Sequence, residues 1–198
     1  VKLLMRFYDV NSGSIKVDGH DVKDFNRSEL HEMFGMVLQD TWLFSGTIAD
    51  NLKYGKPDAS EEEMLHALSA AQADFVTELP EGLFSHTAQG GTNFSGGQKQ
   101  RLAIARALMK KADLYIFDDS FSALDFKTDS ALRKALKEET KGAAVLIIAQ
   151  RINTILNADQ IVVLNEGKIA GIGTHRELME RCSVYQEIAK SQMRGGEE

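Results

Sequence analysis

The sequence predicts an α/β fold built on a parallel sheet. Three apolar runs, at 114–117, 143–149 and 161–164, are short, rich in branched residues and bounded by polar ones, the pattern of strands buried on both faces. A helical stretch over about 129–139 separates the first two, and strands that alternate with helices build a parallel sheet. Upstream, the glycine loop GGTNFSGG runs straight into an amphipathic helix. With 198 residues, 43% of them hydrophobic, the chain can bury a substantial core, and its length fits one domain or one domain with a lobe.

Taken in order, VKLLMRFYDV opens with apolar residues at 1, 4 and 8 and at 3 and 7, which is helical spacing. No Ser, Thr, Asp or Asn cap precedes it, so the reading is a chain that enters inside a helix and lacks an N-terminal piece. SIKVDGHDV alternates around Asp18-Gly19 and predicts a tight hairpin. MVLQD, 36–40, reads as a short buried strand ending in polar Gln39. Ser60 and Glu63 form a capping box that starts an Ala-rich helix over 60–73. In the helix after the glycine loop, Leu102, Ala105 and Met109 share a face, with Ile104 and Leu108 close by. VVLNEGKIAGIG predicts a closing hairpin, Thr174 and Glu177 cap a final helix, and the terminal GGEE is expected to fray. There is no internal repeat and no low-complexity tract.

The totals narrow the function classes. A net charge of -6 and a pI near 5.4 argue against a general nucleic-acid coat. The single cysteine, Cys182, excludes an internal disulfide framework and fits a reducing compartment. The histidines (His20, His31, His66, His86 and His175) have no ligand-type spacing and read as surface or satisfied residues. The longest apolar run, AAVLIIA, falls far short of the roughly 20 residues that cross a bilayer. No signal peptide is visible.

Two stretches carry chemistry. In LYIFDDSFSALD, 114–125, an apolar strand runs into two adjacent carboxylates. A parallel strand delivers its last residues to the carboxyl edge of the sheet, where ligands bind in open α/β folds. There Asp118 suits a magnesium ion, usually through water, and Asp119 suits the orientation or deprotonation of an attacking water. The same residues also fit a solvated loop after a strand. In FSGGQ, 94–98, Gly96 and Gly97 let the backbone approach an anion, while Ser95 offers a hydroxyl and Gln98 an amide at the mouth of a helix. Backbone N–H groups and the helix dipole there favour phosphate. A plain glycine turn is the alternative.

FSGGQKQRLAIARAL followed by LYIFDDSFSALD resembles the signature loop, Walker B strand and D-loop of an ATP-binding-cassette (ABC) ATPase, and the resemblance covers essentially the whole chain. It implies a P-loop NTPase (RecA-like) core with a parallel sheet, plus an α-helical subdomain that holds the signature. It implies ATP and Mg2+ as cofactors. Gln39 matches the Q-loop glutamine that contacts magnesium and senses the γ-phosphate. Asp125 matches the D-loop acid that reaches across a dimer. LFSGTIADNL, 43–52, and LNEGKIAGIGTHREL resemble stretches of exporter-type cassettes.

Three departures from the family pattern shape the expectation. No G-x-x-x-x-G-K-S/T phosphate loop occurs: Gly55-Lys56 runs into Pro57, and Gly167-Lys168 into Ile169. The reading is a chain cut just after the Walker A loop, inactive by itself. Asp119 stands where the family usually has glutamate, one methylene longer. Gln150 stands at the switch position, where the family usually has histidine. Glutamine hydrogen-bonds a phosphate but cannot share a proton as imidazole does. Two such changes around one γ-phosphate suggest a site that binds ATP and hydrolyses it poorly. The signature is nearly standard, with Phe94 for the usual leucine, and Gln89 replaces a usual acid upstream of it.

The pattern resembles the degenerate half of a heterodimeric multidrug-type ABC exporter. Its partners would be a second nucleotide-binding domain and transmembrane domains outside this chain, with no nucleic acid. The place implied is the cytoplasmic face of the membrane. Catalytic candidates are Asp119, Gln150 and Gln39; nucleotide contacts are Ser95, Gly96, Gly97, Gln98 and Asp125; metal ligands are Asp118 and Gln39. The core is expected over 1–42 and 113–198 and the helical subdomain over 43–112. Trp42, Leu43 and Phe44 read equally well as contacts to the transmembrane part or as lobe core. A nucleotide-binding regulatory module without hydrolysis, or a non-transport ABC ATPase, are the alternatives. Against the latter, the Gln39–Ser95 interval shows no heptads.

Overall fold

The structure, a computed structural model, describes residues 1–194. The chain divides into two compact units, Val1–Leu146 and Ile147–Glu198, with the boundary inside a strand.

The first unit opens with one helical turn rather than the longer helix that the spacing predicts. Met5 N donates to Val1 O, then Arg6 N to Leu3 O and Phe7 N to Lys2 O. Arg6 turns left-handed at φ 52°, so these last bonds form a Schellman closure that stops the helix. Helical spacing records which face is apolar, not how far the helix runs. Met5 still packs into a core with Val22, Leu30, Phe34 and Ile116.

Strands β1 (Lys16–Val17) and β2 (His20–Asp21) form the expected hairpin. Asp18 and Gly19 sit at φ 48° and 82°, the left-handed pair of a two-residue turn. Helix α1 (Arg27–Glu32) starts on an Asn26/Glu29 capping box. Strand β3 (Phe34–Val37) lies two residues earlier than expected, so Gln39 falls in the loop beyond it. Strand β4 (Gly46–Thr47) leads into α2 (Ile48–Lys53), capped by Thr47 and Asp50. Helix α3 (Glu61–Ala70) carries the expected Ser60/Glu63 box. Strand β5 (His86–Thr87) pairs antiparallel with β4.

Helix α4 (Gly96–Leu108) buries Leu102, Ile104, Ala105 and Leu108 and ends at Met109, also buried. Strand β6 (Leu114–Asp118) is followed by α5 (Phe126–Glu139) and β7 (Ala144–Ile148). The sheet order is β3-β6-β7, and β3 and β6 are parallel, in register from Phe34↔Leu114 to Val37↔Phe117. The first apolar run is therefore the central, buried strand. The second corrects the expectation of burial: β7 is exposed except at half-buried Ile147, with Val145 at 43% and Leu146 at 38%.

The second unit holds α6 (Ile152–Ile155), the antiparallel pair β8 (Ile161–Asn165) and β9 (Lys168–Gly173), α7 (His175–Arg181) and α8 (Ser183–Arg194). The closing hairpin turns through Glu166 and Gly167, both left-handed. The third run is also not buried on both faces. Ile161 and Val163 face a core with Leu178, Cys182, Tyr185 and Ala189, whereas Val162 and Leu164 are exposed. Thr174 and Glu177 cap α7 as expected, but extended backbone at Cys182 ends that helix, and α8 follows. GGEE lies outside the described residues. Among the described residues, no helix is long and apolar enough to cross a membrane.

Candidate functional site

Because β3 and β6 run parallel in register, they deliver 38–40 and 118–120 to the same sheet edge. Asp118 is the last residue of β6 and half-buried. Asp119 then turns left-handed at φ 47°, a conformation Asp tolerates better than most residues. Across the strand pair, Gln39 Nε2 donates to Asp119 Oδ2 in a long hydrogen bond of 3.4 Å. The structure thus brings two of the candidate catalytic residues together, with Asp118 adjacent.

Beneath them lies a residue that sequence reasoning missed. Ser120 is fully buried, and its hydroxyl sits 3.0 Å from Val37 O and 3.3 Å from Asp118 O. One proton serves two carbonyls, tying the end of β3 to the end of β6. Ser122 Oγ donates to Asp119 O at 3.0 Å and braces the same turn. Phe117, fully buried, packs at a ring distance of 5.5 Å from Phe121, so the turn rests on a rigid aromatic base.

Gln39, Asp118 and Asp119 put oxygen donors on one edge. Mg2+ takes few protein carboxylates and fills its octahedron with waters and substrate phosphates. Among the described residues, no group of three or more His, Cys, Asp or Glu could hold a metal. The donor set therefore fits an ion shared with a phosphate ligand.

The signature loop sits at the start of α4. Ser95 is its N-cap: Ser95 Oγ accepts from Gln98 N at 3.2 Å, and Gln98 Oε1 accepts from Ser95 N at 2.9 Å. This box uses Ser95 Oγ and Gln98 Oε1 to shape the loop, and leaves Gly96 and Gly97 as the first helical residues, whose N–H groups have no carbonyl partner within the helix. A Cβ on Gly97 would lie 3.1 Å from Ala123 O, so this first turn touches the loop that follows β6. Gln100, buried and likewise missed from sequence, accepts from Ala123 N at 3.3 Å and secures that contact. Asp125 is the N-cap of α5, accepting from Thr128 Oγ1 at 2.6 Å and Thr128 N at 2.9 Å. These hydrogen bonds hold its carboxyl below the ordinary carboxylate value.

The loop after Gln39 divides. Leu43 is fully buried, while Trp42 and Phe44 are exposed. Gly90, left-handed at φ 72°, lets the Trp42 ring lie where a Cβ would sit 3.3 Å from it. Asn51, buried, bonds Phe44 N and O, each at 2.8 Å, and pins the loop to α2. Arg106 donates to Trp42 O at 2.9 Å and lies over the Phe44 ring; burial lowers its pKa, though the guanidinium stays charged.

Gln150 belongs to the second unit, two residues past the end of β7. Its backbone oxygen accepts from Gln192 Nε2 at 2.6 Å, and Gln192 Oε1 accepts from Ile152 N at 2.9 Å. A residue of α8 thus clips the entry to α6.

Residues 1–122, from the opening turn through the sheet-edge acids, match the family profile described as ABC transporter. The chain belongs to the ABC transporter family. Its similarity extends to the "Uncharacterized ABC transporter ATP-binding protein" of Mycobacterium bovis, 47% identical over 97% of this chain and 33% of that protein. The "Putative multidrug export ATP-binding/permease protein YgaD" of Bacillus subtilis is 44% identical over 95% of this chain and 33% of its own length. Among solved structures, a bacterial Atm1-family ABC exporter with ATP bound superposes with a TM-score of 0.94 at 37% identity, over 97% of this chain and 34% of that one. The chain spans about a third of the length of the curated relatives it matches. This ABC domain has the ABC ATPase fold, in a family whose ATPase domains bind ATP, generally with Mg2+.

Proposed function

We propose that this chain is the ATP-binding domain of an ABC exporter and that its own nucleotide site hydrolyses ATP slowly. The observation that carries the reading is the junction of Gln39 with Asp119 at the ends of two parallel strands, where a γ-phosphate and its magnesium would be read. Asp118 and Gln39 would hold the ion, which would supply charge neutralisation to the transferred phosphoryl group. Asp119 orients the attacking water with an arm shorter than glutamate by on the order of 1.5 Å, and a base must come within about 2.6–3.2 Å of the proton it handles. Gln150, in the second unit, can hydrogen-bond a phosphate but offers no proton relay.

The amides of Gly96 and Gly97, with Ser95 and Gln98, serve the nucleotide of a second ABC domain, so this chain completes a site on its partner. Asp125 belongs to the same interface. Residues 43–112 form the signature-bearing subdomain, flanked by core at 1–42 and 113–198. In this reading exposed Trp42 and Phe44 meet the transmembrane part, and the domain works at the cytoplasmic membrane face.

The test is steady-state ATP hydrolysis by the intact heterodimer. Asp119→Asn is expected to leave most turnover intact, and mutation of the partner's corresponding acid to remove it. The reverse pattern would overturn the slow-site assignment, and no turnover in either direction would indicate a regulatory module.

A further inference from the structure

We infer that Ser120 is the positioning residue of this nucleotide site: its buried hydroxyl sets the Gln39 loop against Asp119 and thereby gives ATP binding its magnesium dependence. The inference rests on the ATP-site reading above.

The hydroxyl is fully excluded from solvent and donates between Val37 O and Asp118 O. Each carbonyl ends a strand. Val37 is two residues before Gln39, and Asp118 is one residue before Asp119. Parallel pairing holds the strands only as far as Val37↔Phe117, so past that point nothing in the ladder fixes the two loops relative to each other. The Ser120 bond is the next cross-link, and the Gln39–Asp119 bond at 3.4 Å is the one after it. That outer bond is long and exposed, so it needs an inner tie to persist against water. At the left-handed turn Asp119 is half-buried, and the next side chain, Ser120, is fully buried. Ser120 touches neither phosphate nor metal in this assignment; it acts through Gln39 and Asp119.

Replacing the hydroxyl leaves Val37 O without its buried partner and frees the loop at 38–40. The side chains that face the ion then lose their mutual geometry, while contacts away from this sheet edge do not. The expected signature is therefore a loss confined to the magnesium-dependent part of affinity.

The experiment measures the Kd of ATP for the intact transporter with Mg2+ and with EDTA, in wild type, Ser120→Ala, Gln39→Ala and the double variant. The ratio of the two Kd values is expected to fall about three- to tenfold in Ser120→Ala, with affinity in EDTA unchanged. In the Gln39→Ala background, Ser120→Ala is expected to change the ratio by less than about twofold, because residues acting as one unit are non-additive. A wild-type ratio in Ser120→Ala, equal losses with and without Mg2+, or full additivity with Gln39→Ala overturns the assignment. If the alanine variant does not fold, Ser120→Cys carries the test, since it fills a similar space with a weaker donor; an unchanged ratio there overturns it as well. A wild-type protein that does not bind Mg-ATP overturns the ATP-site reading itself, and this inference with it.

Discussion

Asp119 carries its carboxylate on a left-handed backbone, one side-chain carbon short of the glutamate that the resemblance implies there. Two effects oppose each other at this position. A longer arm brings the oxygen nearer to an attacking water, and general-base contributions run to about 10²–10⁴-fold. A bulkier residue in the left-handed region costs on the order of 1–2 kcal/mol of strain. Reach governs chemistry and strain governs stability, so Asp119→Glu separates them. Single-turnover ATP hydrolysis at this site is expected to rise about tenfold, while the thermal midpoint falls by a few degrees. The placement of the two acids at a strand end and of Gly96 and Gly97 at a helix start was legible in the sequence, because each lies in a local, ordered motif. Ser120, Gln100, Asn51 and Gln192 were not, because each is defined by a partner 7 to 83 residues away, and local periodicity holds no record of that pairing.

At the scale of elements, caps and close approaches set the stability. Asp50, Glu63 and Glu177 each reach back to an N-cap residue and close a capping box. The Thr47 hydroxyl holds the Asp50 carboxyl below its ordinary value, a bond from Lys56 does so for Glu63, and the Thr174 amide does so for Glu177. A carboxyl that is more acidic folded than unfolded stabilises the fold while ionised. That contribution is complete above the ordinary carboxylate range and is lost as pH falls through the lowered values. Urea unfolding followed across that range should show stability level at neutral pH and falling on acidification, with a shallower fall in Glu63→Gln. Gly55, just past α2, is a packing constraint of another kind. A Cβ there would meet Arg106 O at 2.3 Å and Met109 Cβ at 2.9 Å, so α2 and α4 approach backbone to backbone. Gly55→Ala should destabilise by about 1–3 kcal/mol or more, read as a lower urea midpoint at unchanged slope. The capping boxes at Ser60 and Thr174 and both hairpins were readable from sequence, since their chemistry lies within four residues. The opening helix was over-read, because nothing in its spacing announces the left-handed Arg6.

For the whole molecule, the α/β class followed from alternating strand and helix patterns, but the covering of the strands did not. An apolar run states that a strand prefers to be covered; it does not say which element does the covering. Within the second unit, Val162, Leu164, Ile169 and Ile172 stay exposed on the paired strands β8 and β9, where Val162 faces Ile172 and Leu164 faces Ile169 across the ladder. Apolar surface gathered in this way promotes association. This 198-residue polypeptide, expressed alone, should scatter light increasingly with concentration and bind an apolar dye. Leu164→Lys with Ile169→Glu should reduce both and leave the circular dichroism spectrum unchanged.

The seating of Trp42 against Gly90 has an optical consequence. It is the sole tryptophan of the chain, half-exposed and three residues beyond Gln39. Indole emission shifts and quenches with changes in its surroundings, so in this polypeptide the fluorescence of one native side chain follows the loop that links Gln39 to the helices beyond, with no label attached.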